Sequence, residues 1–372
     1  MLIFFFKKAT FARMTILFLT PYPNNQAPSQ RFRFEQYFGV FHQNGIQIMQ
    51  ESFLDDATWK IFYKRGVLHK KIWGIFKGIV RRHLVVFQLH KFDFVFIHRE
   101  ACFIGPAYFE WIYSKVFRKK IIYDFDDAIW LRDVSEANNK LAWLKRSEKT
   151  SKIISYSHYV IAGNKYLAEY AFNFSNNVIV IPTTIDTNYH SILSREKSDI
   201  VIGWTGSITT NRHFETLLPV LQKLLIKYPV NIKLRTISNK ETEHGALPVN
   251  YIKWSKENEI SDLSKFDIGI MPLPDDEWAQ GKCGFKGLQY MALGIPTIMS
   301  PVGVNTEIIQ DGKNGFLACS EDEWLDRLSM LIESKELREQ IGKAGRNTVI
   351  EKYSVEANKQ KYLNLFSNLM NH

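Results

Sequence analysis

The chain alternates short, nearly continuous apolar runs with longer amphipathic ones, and it does so in two series. Fully buried strands of a parallel sheet read as unbroken apolar runs, and the stretches between them supply crossover helices. The first series holds TILFL (15–19), FVFI (94–97), IIYD (121–124), YVIA (159–162) and VIVI (178–181), and Pro182 ends it. After a polar stretch at 186–198, the second holds IVIGW (200–204), IKLRTI (232–237), DIGIM (267–271) and PTIMS (296–300). A helix is predicted over 29–44 with Gly45 as its stop, and another from about 354 to 370. The length, 372 residues, suits two domains. The pattern predicts an α/β chain of two doubly wound domains, 14–185 and 186–353, facing a central cleft. A last helix (354–372) is expected to pack back towards the first domain. Ligands of such sheets bind at the carboxyl ends of the strands.

Composition narrows the class. Apolar residues make up 45% and charged residues 23%, which excludes a disordered, collagenous or coiled-coil chain. No run of about 18 apolar residues exists to span a membrane. Cys102, Cys283 and Cys319 lie far apart, so neither a disulfide framework nor a structural zinc site is expected. The opening MLIFFF precedes Lys7 and Lys8, the reverse of a secretory signal, and MTILFLTPYP from Met14 is the better start of the fold. A cytoplasmic protein is expected, with peripheral attachment to the inner face of the cell membrane compatible with its charge.

The formal charge is +10, and residues 57–92 carry nine Lys or Arg and no Asp or Glu. Trp59, Phe62, Tyr63, Trp73, Phe76 and Phe87 are interleaved with these cations. A basic, aromatic, helical stretch suits an anionic membrane surface. Nucleic acid is the other basic-protein partner. No helix-turn-helix, zinc-finger or RNP pattern is present, so none is expected.

The most informative segment is 281–317, GKCGFKGLQYMALGIPTIMSPVGVNTEIIQDGKNGFL. Gly281 and Gly284 let backbone approach a ligand closely. A short helix from Lys286 to Leu293, closed by Gly294 and Pro296, offers free N–H groups at its start, and Lys282 and Lys286 add charge beside it. Together these suit a diphosphate.

This stretch resembles the donor-binding region of retaining glycosyltransferases of family 4, which have the GT-B fold of two Rossmann-like domains. QYMALGIPTIMS, VGVNTEII, DG and NGFL line up with the family pattern without gaps. The resemblance implies a nucleoside diphosphate sugar held by Lys282, Gly284, Phe285, Lys286 and Gln289. Gln289 stands where the family has a Glu for the ribose hydroxyls, and Gly281 where it has a Glu that touches the sugar. Asp275, Asp276 or Glu277 would have to substitute for the latter. A second match, GWTGSITTNRHFETLL, places Gly206, Ser207 and Arg212 where the family has Gly, Arg and Lys for the diphosphate. Trp254 falls near where the nucleobase docks.

The N-terminal half is implied to see the acceptor. TPYPNNQAPSQRFR (20–33) is a shaped loop at a strand's carboxyl end, and Arg31 is the candidate acceptor contact, with Arg33 pointing to the cleft or packing along the helix. His98 ends the FVFI strand, where the family has a His near the reacting sugar, so a catalytic part is implied for it with Arg212 and Lys286. YDFDDAIW (123–130) brings Asp124, Asp126 and Asp127 to another carboxyl end. Such a cluster suits a metal, a turn or acceptor hydroxyls. GT-B enzymes generally need no metal, so acceptor binding by Asp124 and Asp127 is expected, with no cofactor.

The implied activity is transfer of a sugar, with retention, to a saccharide or lipid-linked acceptor, as in cell-surface polysaccharide assembly. A GT-B sugar-nucleotide epimerase and a non-catalytic sugar-nucleotide-binding subunit are the rivals. Gly281 and Gln289 raise the second.

Overall fold

Strand β1 (Met14–Thr20) pairs in parallel with β2 (Ile46–Ser52) on one side and β3 (Phe94–His98) on the other. Strands β4 (Lys120–Phe125), β5 (Tyr159–Ala162) and β6 (Val178–Val180) continue the sheet, giving the order β2-β1-β3-β4-β5-β6. This computed structural model describes residues 14–62, 64, 66–131, 148–193, 199–230, 232–245 and 247–371. The reading of residues 1–13, and of Tyr63 and Arg65 in the basic segment, lies outside that set.

A second parallel sheet is built from β7 (Ile200–Gly206), β8 (Ile232–Ser238), β9 (Val249–Lys253), β10 (Ile268–Met271), β11 (Thr297–Met299) and β12 (Phe316–Leu317). Its order is β12-β11-β10-β7-β8-β9. In each sheet the first strand has neighbours on both sides, so strand order reverses beside it. The crevice outside the carboxyl ends at that reversal is where such sheets bind ligands. Ile202, Trp204, Leu234, Ile268, Ile270 and Ile298 pack under Leu221 and Leu224 of the Leu218–Lys227 helix and Leu328 and Leu331 of the Glu321–Glu333 helix. Each such side chain stabilises the fold by roughly 1.5–3 kcal/mol on burial.

The chain divides into two compact units at Ile181/Pro182, and residues from Lys359 onward join the first. The sequence placed these divisions at 185/186 and 353/354. The final helix, Val355–Asn371, starts in the second unit. Its later turns are tied to the first sheet where Lys120 Nζ donates to Leu369 O (2.7 Å) and Tyr362 Oη to Arg33 O (2.9 Å).

The single helix expected over 29–44 is three pieces: Pro28–Arg31, a 3-10 turn Glu35–Tyr37, and Phe38–Gln43. Local side-chain bonds explain the breaks. Gln30 accepts from Tyr22 N (2.9 Å) and donates to Tyr22 O (3.0 Å), while Arg33 turns inward beneath the sheet's carboxyl edge.

Candidate functional site

In the second unit, cations gather where β7 ends. Gly206 closes the strand, and Ser207 starts a 3-10 turn whose capping box pairs Ser207 with Thr210. The helix Asn211–Glu215 follows, with Arg212 exposed on it. Across from this turn the helix Phe285–Ala292 begins at Gly284. Gly284 has φ +66°, and a Cβ there would meet Ile308 Cδ1 at 2.3 Å, so glycine is required. It also leaves the first turn without a side-chain cap. At the other end Gly294 makes the two Schellman bonds, Ile295 N to Tyr290 O (3.0 Å) and Gly294 N to Met291 O (2.9 Å).

Lys286 Nζ lies 4.6 Å from the Trp204 ring centroid and 3.4 Å from Thr210 Oγ1. Burial, then Lys282, pushes its ammonium down to about 7. The same field acts on His213, which burial, Lys286, Arg212 and Lys282 push down to about 4. His213 is therefore neutral at pH 7, and its Nε2 accepts from Arg212 Nε at 3.4 Å. Lys282 sits 4.8 Å over the Trp278 ring. Among the described residues no carboxylate lies within ion-pair distance of Lys286 or Arg212. An uncompensated, half-buried cation is costly unless an anion arrives. Trp204, Thr210 and His213 were not foreseen in this cluster. The one available signal was the placing of Trp204 two residues before Gly206.

Gln289 is buried, and its Nε2 is 3.3 Å from His190 Nε2. His190 Nδ1 lies 3.2 Å from Asp186 O, so Nδ1 carries the hydrogen and Nε2 accepts from the amide. Nothing in the sequence pointed to His190. Trp254 is half-buried against a core of Val201, Ile237, Leu263, Phe266 and Tyr290. Packing accounts for its placement. Asp276 caps the helix Glu277–Gln280 through Ala279 N (2.7 Å), and Asp275 accepts from Gln280 Nε2 (2.7 Å).

In the first unit, His98 at the end of β3 stands in register with Asp124 of β4. His98 Nδ1 is 2.7 Å from Asp124 Oδ2, and Arg33 Nη2 is 2.5 Å from Asp124 Oδ1. Arg33 Nη1 donates to Ile181 O. All three side chains are 0% exposed. Burial raises the Asp124 carboxyl, but Arg33 and the His98 hydrogen bond outweigh it and hold Asp124 below the usual carboxylate range. An ionised carboxylate only accepts, so Nδ1 of His98 must carry the hydrogen. The other ring nitrogen, Nε2, is buried and has no hydrogen-bond partner.

The three acceptor candidates, Asp124, Asp127 and Arg31, are all engaged within the fold. Asp124 is sealed behind His98, with both oxygens taken, and does not present a free carboxylate. Asp127 Oδ2 accepts from Arg99 Nη2 at 2.6 Å, and Asp126 Oδ1 from Arg99 Nε at 2.9 Å. Arg31 is buried with its guanidinium 4.9 Å over the Phe32 ring, and the Arg that reaches the carboxyl edge is Arg33.

Comparison with known proteins places this geometry. Residues 199–334 match the family model described as glycosyl transferases group 1. The chain is 24% identical over 219 residues to the capsular polysaccharide biosynthesis glycosyltransferase CapM of Staphylococcus aureus, a match covering 54% of this chain and 56% of CapM. The match thus spans little more than half of that relative. Among solved structures, sucrose-phosphate synthase from Thermosynechococcus elongatus superposes with a TM-score of 0.69 at 11% identity, over 96% of this chain and all of that one. Anabaena HepE, in complex with UDP and glucose, superposes at 0.63 and 14% identity over 95% of this chain and 99% of its own. The fold is the pair of Rossmann-like α/β units seen in GT-B glycosyltransferases, and within it residues 199–334 are similar to the glycosyl transferases of group 1.

Proposed function

We propose that the protein is a retaining glycosyltransferase of family 4 that takes a hexose from a nucleoside diphosphate sugar to a saccharide or lipid-linked acceptor in cell-surface polysaccharide assembly. One observation carries the reading: Lys286 and Arg212 crowd the end of β7 and a helix start without a side-chain cap, and no described carboxylate offsets them. A diphosphate supplies the missing charge. In the transfer, negative charge grows on the leaving diphosphate, and fixed cations and N–H groups lower the barrier there. The acceptor hydroxyl then attacks from the side the leaving group departs, and a phosphate oxygen takes its proton, so the anomeric configuration is kept. CapM's name, and the UDP and glucose in the HepE complex, favour this substrate class.

In the first unit His98 is the candidate contact to the reacting sugar through its unpartnered Nε2, held in place by Asp124 and Arg33, and a sugar reaches it once the side chains that bury it move aside. No metal enters this scheme, because the cations do the neutralising.

Titration calorimetry with UDP, and turnover of a panel of nucleoside diphosphate sugars with the product's anomeric centre read by NMR, test the proposal. Binding and transfer with retention are expected. Binding without turnover of any donor, with or without membrane lipid extract, would leave a sugar-nucleotide-binding subunit instead. Epimerised donor would point to the other rival.

A further inference from the structure

The helix Leu68–Val86 has two apolar faces, and only one is used by the fold. Gly74, Gly78 and Val85 face inward; a Cβ at Gly74 would meet Thr58 Cγ2 at 2.2 Å, and one at Gly78 would meet Phe53 O at 2.7 Å. The other face is turned to solvent. Leu68, Ile72, Phe76, Val80 and Leu84 recur every fourth residue along it, Trp73 stacks on Phe76 at 5.4 Å, and Phe87 follows. Trp73 is 58% and Phe87 75% exposed. Seven large apolar side chains along one helix exceed what a soluble surface ordinarily leaves in water.

Cations flank this stripe. Lys70 and Lys77 lie seven residues apart on one side of it, and both are exposed. The patch has a neighbour. The His83 ring contacts Tyr108 (5.8 Å) and Phe109 (4.9 Å), so the stripe adjoins a second exposed group in which Tyr108, Trp111, Val116 and Phe117 stand with Lys115 and Arg118. Not every basic residue of the segment belongs to this surface. Arg82 is fully buried and donates to Ala101 O (2.7 Å), Glu51 O (3.1 Å) and Thr20 O (2.9 Å). It ties the helix to the carboxyl ends of β1 and β2, the same edge of the sheet at which His98 ends β3. Arg81 lies 3.6 Å from Asp55; Lys77, 3.7 Å from the same carboxylate, stays exposed on the border of the stripe.

We propose that this face docks on an anionic lipid surface, with the helix lying in the interface plane and its stripe from Leu68 to Phe87 set among the headgroups and upper acyl chains. Among the described residues no helix is long and apolar enough to cross a membrane, so the mode is to lie on it. The occupant follows from the pairing of chemistries: an apolar stripe calls for hydrocarbon, and its cationic border calls for phosphate. The carboxyl edge of the first sheet, where an acceptor would bind, is then held beside the bilayer. This inference rests on the helix surface and not on the proposed activity, and it is read without donor or acceptor.

The test is flotation of the full chain with vesicles of phosphatidylcholine alone and with phosphatidylglycerol added, at low and at 1 M salt. Wild type should float with the anionic vesicles and lose binding at 1 M salt, where the Debye length falls to about 3 Å. Lys70→Gln/Lys77→Gln should weaken binding by about 25-fold, at about fivefold per cation. Trp73→Ser/Phe76→Ser changes only exposed side chains, so it should keep the wild-type melting curve and weaken binding further. The fluorescence blue shift on adding vesicles should vanish in Trp73→Phe. The proposal is overturned if wild type ignores anionic vesicles, or if Trp73→Ser/Phe76→Ser floats as wild type does. It is equally overturned if wild type is a dimer that this double variant makes monomeric, since a second copy would then be the occupant. A single-stranded oligonucleotide bound where vesicles are not would overturn it in favour of nucleic acid.

Discussion

The two units treat buried charge in opposite ways. In the first, Arg33, Asp124 and His98 are fully enclosed and answer one another, cation to carboxylate to imidazole, with the Ile181 carbonyl taking a further guanidinium N–H. In the second, the half-buried Lys286 shares with the exposed Arg212 and with Lys282 a field that drives His213 towards neutrality, and no described carboxylate pairs with Lys286 or Arg212. A closed set of charges stabilises or positions; an open set is paid for by a ligand. The contrast separates residues that build a site from residues that fill it, and each prediction below tries to break that division.

The largest effect is expected from opening the closed set. Arg33→Met leaves Asp124 buried with only His98 to offset it, and breaking a buried pair in this way costs about 3–5 kcal/mol. Urea unfolding should show that loss at pH 7. The sign with pH follows from the depressed Asp124 carboxyl: its stabilisation is fully present above the unfolded-state carboxylate pKa, near 4, and fades as pH falls through the lower folded value. A loss below about 1 kcal/mol in Arg33→Met would mean that the set is not closed.

Next comes the open set. Lys286→Met should weaken UDP binding by tenfold or more, since a contact to a charged group contributes roughly 1.5–3 kcal/mol. Arg212→Ala should do the same. The two units then differ in a telling respect: Lys286→Met should raise the melting temperature of the ligand-free protein, because it removes an uncompensated charge. Unchanged affinity in both variants would remove the diphosphate from this site.

How much of this was legible follows a pattern. Nine strands stand where apolar runs such as TILFL, FVFI and DIGIM placed them. The three that went unread, β2, β9 and β12, are all at sheet edges. IQIMQES and VNYIK have one side open to water, so they carry Gln, Glu, Asn and Lys and no continuous apolar run. The cation cluster was legible because its residues are local to two glycine-rich turns. The closed set was not, because Arg33 and Asp124 are separated by 91 residues and only the parallel register of β3 and β4 brings His98 to Asp124. Arg82 shows the same limit: in sequence it is one cation among nine, and in the fold it is bonded to three carbonyls.

A smaller effect is expected in the pH dependence of donor affinity. Lys286 is charged in the free protein only below about 7. A bound diphosphate favours the charged form and raises that value. Affinity for UDP should therefore be greatest below pH 7 and fall as pH rises above it, by up to about tenfold per unit until the bound-state value is reached. Lys286→Arg keeps its charge throughout, so calorimetry from pH 6 to 9 should give it a flatter profile. A flat wild-type profile would show that Lys286 is already compensated and the set is not open.

The smallest expected effect is none at all. If fixed cations neutralise the diphosphate, a divalent metal has no charge left to cancel there, and chelation should leave UDP binding and transfer unchanged. The carboxylates that would hold a metal are in the first unit and are already engaged: Asp124 with Arg33 and His98, Asp126 and Asp127 with Arg99. To free any of them for a metal, a guanidinium would have to give up its partner. Turnover with EDTA, and again with added magnesium or manganese, is the measurement. Activity abolished by EDTA and restored by metal would mean that Arg99 releases Asp126 and Asp127 on substrate binding, and the first unit's charges would then be no more closed than the second's.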